Sequence, residues 1–369
     1  MYFDYVVVGA GISGLTIAER IASQLGARVL IVEKRRHIGG NCADAYDADG
    51  LLVHTYGPHI FHTIHKDVFD YLSAFTAWRL YQHRVLSYVD GQFLPFPICA
   101  RTVSMLYGVP MAAPEVAEFL KSVAEPQRAI RTSEDVVIAA AGPYIYEKFF
   151  KQYTKKQWDV YPDELDPSVI ARVPVRANGD ERYFTDPYQG MPAAGYSAMF
   201  ARMAAHPNIS LLLGVDFAEV RGDIRCGTLI YTGPVDEYYR HEYGALKYRS
   251  IRMEFETYGV QEFQQAAVIN YPNDYDFTRI TEYKKLTGQI HEKTVISKEY
   301  PTWDGEPYYP VPQPAQQTLY AKYAERARTE KNVLFAGRLA EYRYYNMDAA
   351  VKAALALFET RIRGGVQPE

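Results

Sequence analysis

The residues of this chain that could do chemistry lie in a few short stretches, and the first is almost bare backbone. Gly9-Ala10-Gly11-Ile12-Ser13-Gly14 follows an apolar run, Phe3 to Val8, and precedes an Ala/Leu-rich stretch, Leu15 to Leu25; a second apolar run, Arg28 to Val32, ends on Glu33. Glycines at this spacing between a strand and a helix suit a pyrophosphate. Gly9 permits the tight turn, Gly11 lets the backbone approach the phosphates, and Gly14 lets helix and strand pack closely. The helix start offers free N–H groups and partial positive charge. Glu33 stands where an acid accepts hydrogen bonds from an adenosine ribose and repels a 2′-phosphate, which disfavours NADP.

Two further stretches bear on which dinucleotide is held. Lys34-Arg35-Arg36-His37-Ile38-Gly39-Gly40-Asn41 reads either as an ordinary turn or as a second loop laid against the cofactor. Far along the chain, Asn332 to Arg338 reads as a strand ending in Ala-Gly-Arg, and Asn346 to Val351 opens a helix to about Arg361. That return would aim a helix N-terminus at the pyrimidine end of an isoalloxazine, where negative charge collects in a reduced flavin. A nicotinamide dinucleotide needs no such return, so FAD is the better reading.

The remaining candidates are side chains. His59 and His62 follow a Gly57-Pro58 turn; no further His/Cys/Asp cluster completes a metal site, and they read as flavin-side or as structural histidines. Phe149-Phe150-Lys151-Gln152-Tyr153-Thr154-Lys155-Lys156-Gln157-Trp158 places rings on one helical face among Lys and Gln. Such a face either stacks a nucleotide base or docks on another helix. Arg172 and Arg279, if they converge, would grip a diphosphate with geometry lysine lacks. Tyr309 and Arg343-Tyr344-Tyr345 complete a nucleotide-sized set. No carboxylate pair of the glycosidase kind stands out.

These residues need elements to position them. Arg84 to Val89 and Gln92 to Leu94 alternate around Asp90-Gly91, a hairpin. From Arg101 to Trp158 the pattern is helical, with Ser133 as the expected N-cap of one helix and Glu147 to Trp158 as another. Residues 162–180, rich in Pro, Asp and Gly, read as a long mobile loop carrying Arg172 and Arg176. The expected fold is α/β: a discontinuous Rossmann-like FAD-binding domain (1–80, 190–240, 310–369), an inserted helical bundle domain (97–175), and an inserted antiparallel β-sheet domain (81–96, 176–189, 241–309). A net charge of −4 without a basic run argues against nucleic acid, and three scattered cysteines fit a reducing, cytoplasmic setting. No apolar stretch reaches membrane-spanning length. The 32 tyrosines suit a wet, partly apolar cleft, although most are accounted for by a large core.

Taken together, Gly9–Gly14, His37–Asn41, Gly57–Thr63, Tyr153–Trp158 and Gly337–Arg338 through Tyr344 to Asp348 resemble the bacterial type of UDP-galactopyranose mutase, from Tyr2 to about Arg361. The resemblance implies interconversion of UDP-galactopyranose and UDP-galactofuranose, an isomerase reaction without net redox change, by attack of reduced FAD N5 on the anomeric carbon. It implies catalytic roles for Arg172, Arg279 and His62. Phe149, Phe150, Tyr153, Thr154 and Trp158 would hold the uracil end, Tyr183, Tyr309 and Tyr344 the diphosphate, and His59, His83 and Asn270 the sugar. FAD would rest on Gly9, Gly11, Ser13, Gly14, Glu33, Lys34, Gly39, Gly40, Asn41, His59, Gly337, Arg338, Arg343 and Asp348. UDP-galactose is then the small-molecule partner, with an external reductant such as NAD(P)H or a reductase, and the chain is expected as a homodimer or higher homo-oligomer. His83 departs from the family, where many relatives carry Asn. The alternatives are a mutase that also accepts UDP-N-acetylgalactosamine, or an FAD-dependent amine oxidase-like oxidoreductase.

Overall fold

The computed structural model describes residues 2–364; Met1 and residues 365–369, counted above in the first domain, lie outside them. The opening apolar runs become neighbouring parallel strands, Tyr2–Val8 and Val29–Glu33, joined by the helix Ile12–Leu25. Each strand buries both faces, which is why the sequence runs apolar there rather than alternating. Later segments extend the sheet on either side, giving the spatial order Ile209–Leu213, Val29–Glu33, Tyr2–Val8, Arg225–Tyr231, Val333–Phe335, all parallel. One face carries Ile12–Leu25 and the C-terminal helix Met347–Leu357; Tyr238, Tyr323 and Tyr342 pack against the other. A Cβ on Gly14 would strike the carbonyl oxygen of Gly9, so the helix can approach its strand only with glycine there.

The second large sheet has seven strands, in the order Tyr309–Pro310, Tyr248–Tyr258, Thr294–Thr302, Arg279–Glu282, Val268–Asn270, Val85–Val89, Gln92–Phe96. It is antiparallel except where Val268–Asn270 runs parallel to Val85–Val89, because these two come from widely separated parts of the chain. The expected hairpin is present, with Asp90 and Gly91 both at positive φ in its turn. Residues 176–189 do not add to this sheet as a unit. Tyr188–Pro192 pairs instead with Phe61–Thr63 and Trp78–Leu80 in a separate three-stranded sheet, a long-range pairing that no local pattern announces.

The helical insert packs on the hairpin through Val85, Leu94, Phe96, Val137, Ile138 and Phe149, so helices and large sheet share one core. Three local details differ from expectation. The N-cap of Ser133–Ile145 is Thr132, whose hydroxyl accepts from Asp135 N at 3.3 Å, while Asp135 Oδ2 accepts from Thr132 N at 2.9 Å and Arg131 N at 2.9 Å. Tyr146–Lys151 is a π-turn leading into Gln152–Trp158. The expected long loop contains two short helical turns, Pro162–Glu164 and Ser168–Ala171.

Asp135 also holds Arg128 Nε at 2.5 Å, tying the preceding loop to the helix start. Asp135→Ala removes the carboxylate half of the capping box and the ion pair together, leaving the Thr132 hydroxyl bond, and is expected to cost about 1–2 kcal/mol. A thermal melt should show the loss, with flavin content unchanged.

Candidate active site

Two cavities meet in the middle of the molecule. The first, of about 360 Å³, lies over the C-terminal ends of the parallel strands and is walled by the glycine turn, Glu33, Lys34, Gly39–Asn41, Gly337 and Arg338. Gly39 N donates to Ala10 O at 2.8 Å, bringing the Gly39-Gly40 pair directly against Gly11. A Cβ on Gly40, itself at φ +56°, would come within 2.9 Å of Gly11 Cα. The pair is therefore a second loop of the cradle as well as a turn. Glu33 braces both loops: one carboxylate oxygen accepts from Ala10 N at 2.8 Å and the other from Arg35 N at 2.8 Å. Lys34 pairs with Glu306 at 2.7 Å, and Asn41 Oδ1 accepts from Arg35 Nη2 at 2.9 Å.

The second cavity, of about 470 Å³, lies between the helical insert and the large sheet. It gathers His59, His62, His83, Phe149, Phe150, Tyr153, Thr154, Trp158, Arg172, Tyr183, Asn270, Arg279, Tyr309 and Tyr344 on one wall or another. The π-turn lets Phe149 and Phe150 pack on Phe96, at 6.2 and 5.8 Å between ring centroids, while both still face the cleft. Core docking and cleft lining are thus served by the same rings. Tyr309 and Tyr344 stack at 5.5 Å and 12°. The short helix Ser168–Ala171 lays Arg172 across the cleft, its guanidinium carbon 4.2 Å from the Tyr344 ring. Burial raises the Tyr344 phenol, but Arg172 and Arg338 more than offset it and leave the group below its ordinary value.

His59, Arg338, Asn346 and Met347 line both cavities, so they form the seam. Asn346 is the N-cap of Met347–Leu357, which puts the electropositive end of an 11-residue helix there. A dinucleotide on the first cavity can thus extend past the strand ends to a ring at the seam, and this two-part cradle fits FAD. Arg343 and Asp348 do not line either cavity. Arg343 is exposed beside Tyr345, because its neighbour Tyr344 takes the cleft-facing side of the chain. Asp348 is rotated off the helix face that presents Met347 and Ala350 to the cradle.

Comparison with known proteins agrees with this geometry. Residues 148–344 match the family described as UDP-galactopyranose mutase, and residues 7–75 match an NAD(P)-binding Rossmann-like domain. A probable UDP-galactopyranose mutase of Klebsiella pneumoniae is 40% identical over 364 residues, 95% of this chain and 93% of that protein. The chain belongs to the UDP-galactopyranose mutase family. A dTDP-fucopyranose mutase of Escherichia coli is 35% identical, with 97% of this chain and 98% of that protein covered. Among solved structures, a reduced UDP-galactopyranose mutase superimposes with a TM-score of 0.77 at 16% identity, covering 98% of this chain and 96% of the other.

The structure adds site residues that sequence reasoning missed in this family member. Glu299, almost wholly buried, pairs with Arg279 Nε at 3.1 Å. Phe184 stacks on His62 at 3.5 Å between centroids, and Asp186 meets His62 Nδ1 at 3.0 Å. Tyr56 carries Arg35 over its ring at 4.3 Å. Burial holds three imidazoles neutral: His54 is pushed down to about 4, and His59 and His83 each to about 3, the last also by Arg279.

Two outcomes follow from these contacts. Gly40→Ala forces its methyl onto Gly11 and should weaken FAD retention roughly 10- to 100-fold, a cost of about 1–3 kcal/mol, read as flavin absorbance per protein after dialysis. Histidines depressed in the folded state bind fewer protons than in the unfolded chain, so stability falls as pH drops from about 6.5 towards 3. Urea midpoints at roughly pH 7 and 5 should therefore differ less for His83→Asn than for the parent chain.

Proposed function

We propose that this chain interconverts UDP-galactopyranose and UDP-galactofuranose with reduced FAD, working in the cytoplasm, as a homodimer or higher homo-oligomer, with an external reductant such as NAD(P)H or a reductase keeping the flavin reduced. The observation that carries the reading is the convergence of Arg172 and Arg279, from two different inserts, on a tyrosine-lined cleft that opens onto the dinucleotide cradle. Bound FAD in its reduced form supplies an electron-rich ring nitrogen at the anomeric carbon. The protein's own residues do the rest. Tyr153, Phe149, Phe150 and Trp158 offer ring faces and Thr154 a hydroxyl for the uracil and its ribose. Arg172 and Arg279 meet the negative charge that grows on the β-phosphate as UDP departs, an interaction stronger in the transition state than in the ground state. With Arg172 drawn across to Tyr344, the loop covers the sugar and keeps out water that would hydrolyse it.

An amine oxidase-like reading has little support from this cleft, because an amine substrate has no use for two arginines. Tolerance for an N-acetylated sugar is a second arm of the same test, as is dTDP-fucopyranose, the sugar nucleotide named for the Escherichia coli relative. Dithionite-reduced protein incubated with UDP-galactofuranose should yield UDP-galactopyranose by chromatography, and oxidised protein should not. Arg172→Ala and Arg279→Ala should each lower kcat/KM on the order of 10²- to 10³-fold with FAD content intact. Oxygen consumption with an amine, or loss of flavin in both variants, would count against the assignment.

A further inference from the structure

We propose that Asp186 is a positioning residue that holds His62 as a proton acceptor facing the sugar, so that His62 moves the proton displaced by ring exchange. The inference rests on the mutase reading above.

Three contacts fix the His62 ring. Phe184 stacks on it at 12°, Asp186 Oδ2 lies 3.0 Å from Nδ1, and the strand Phe61–Thr63 that carries it pairs with Tyr188–Pro192. The loop bearing both Phe184 and Asp186 is itself pinned, since Gln189 Nε2 donates to Phe184 O at 3.2 Å and to Asp186 O at 2.7 Å. A carboxylate can only accept, so Nδ1 carries the hydrogen and Nε2 of the neutral ring keeps its lone pair. No other hydrogen bond to the ring is present among the described residues, and His62 lines the cleft. Of the three histidines in that wall, His62 alone faces a carboxylate. His59 and His83 are held neutral by burial, with Nδ1 of one at Gly57 O (2.9 Å) and of the other at the Tyr81 hydroxyl (3.1 Å).

The chemistry requires such a group. In going from pyranose to furanose the C1–O5 bond breaks and O5 becomes a hydroxyl, while the C1–O4 bond forms and the 4-hydroxyl loses its hydrogen. One proton moves from O4 to O5 with no net redox change. His62 Nε2 takes the O4 proton and returns it to O5, and the reverse reaction runs the same path. The imidazolium that exists between the two transfers is stabilised by Asp186. The other groups facing the pair are His83, neutral, Gln189 on the paired strand, and Arg279 beyond His83.

The test is Asp186→Asn in the reduced holoenzyme. We expect kcat to fall roughly 10- to 100-fold with KM and FAD content unchanged. Losing the carboxylate removes the group that orients the ring, and Asp186→Glu should recover part of the rate. Unchanged kcat, no recovery in Asp186→Glu, or loss of FAD in step with kcat would overturn the inference. Nitrogen-15 spectra of histidine-labelled protein, assigned with His62→Gln, give a second measurement free of folding effects on the Asp186 variants. The Nδ1–H tautomer supports the pair and the Nε2–H tautomer refutes it. Parent enzyme that converts no nucleotide sugar would refute the mutase reading instead, while the tautomer still reports on the pair.

Discussion

The contact between Gly11 and the Gly39-Gly40 pair sets the position of everything downstream. Two loops from different strand ends approach until a single methyl group would separate them, and the Glu33 carboxylate fastens both through the amides of Ala10 and Arg35. No side chain intervenes, so a pyrophosphate bound there would meet backbone that is held from two sides. Bound FAD would then bring its ring towards the seam of His59, Arg338, Asn346 and Met347, which line both cavities. Reaction between a ring atom and a sugar carbon depends on near-contact geometry, and small displacements are costly. In the proposed reaction, precision at the glycines would therefore carry through to the sugar.

In the proposed reaction the two arginines would divide the work on the diphosphate. Arg279 stands on a strand of the large sheet and is paired with Glu299, which is 1% exposed. Burial raises the Glu299 carboxyl and Arg279 pulls it back, the balance expected of a desolvated ion pair. Such a pair places a guanidinium rigidly but contributes little net charge. Arg172 is the complement: it forms no ion pair among the described residues, follows a four-residue helix, and rests on the ring of Tyr344. On the proposed reading, a fixed donor paired with Glu299 would set where the diphosphate lies, and the uncompensated cation on the loop would supply the field. The chain separates geometry from charge by putting them on different inserts.

How much of this was legible in the residues follows from how local each cause is. The βαβ unit, the hairpin at Asp90-Gly91 and the C-terminal return are written in short stretches, and they appear as read. Arg172, Arg279 and the Phe149–Trp158 stretch could be placed in one cleft only through family resemblance, because their meeting is a property of three-dimensional packing. Thr132 rather than Ser133 caps its helix: both hydroxyls qualify, and only the reach of Asp135 back to the Thr132 amide decides. Arg343 and Asp348 carry suggestive side chains beside cofactor-lining residues, but one position along a chain or helix turns a side chain away from the cavity. Glu299 and Asp186 gave no signal, since each acts through a partner more than fifteen positions away in sequence.

The same distribution of charge would account for neutral histidines on the wall that the proposed reaction assigns to the sugar. In the proposed reaction, positive charge would develop at the anomeric carbon and negative charge on the phosphate as UDP leaves. A standing cation beside that carbon, unlike the transient His62 imidazolium paired with Asp186, would oppose the first as much as the arginines favour the second. His59 and His83 are kept uncharged by burial, and His83 also by the nearby Arg279. Of the cleft's cations, Arg172 and Arg338 lie over the faces of Tyr309 and Tyr344, while Arg279 is held by Glu299. The wall near the sugar is thus polar without being cationic, and the wall near the diphosphate is cationic. A carrier bond polarised in that sense is weakened along the direction in which it must break.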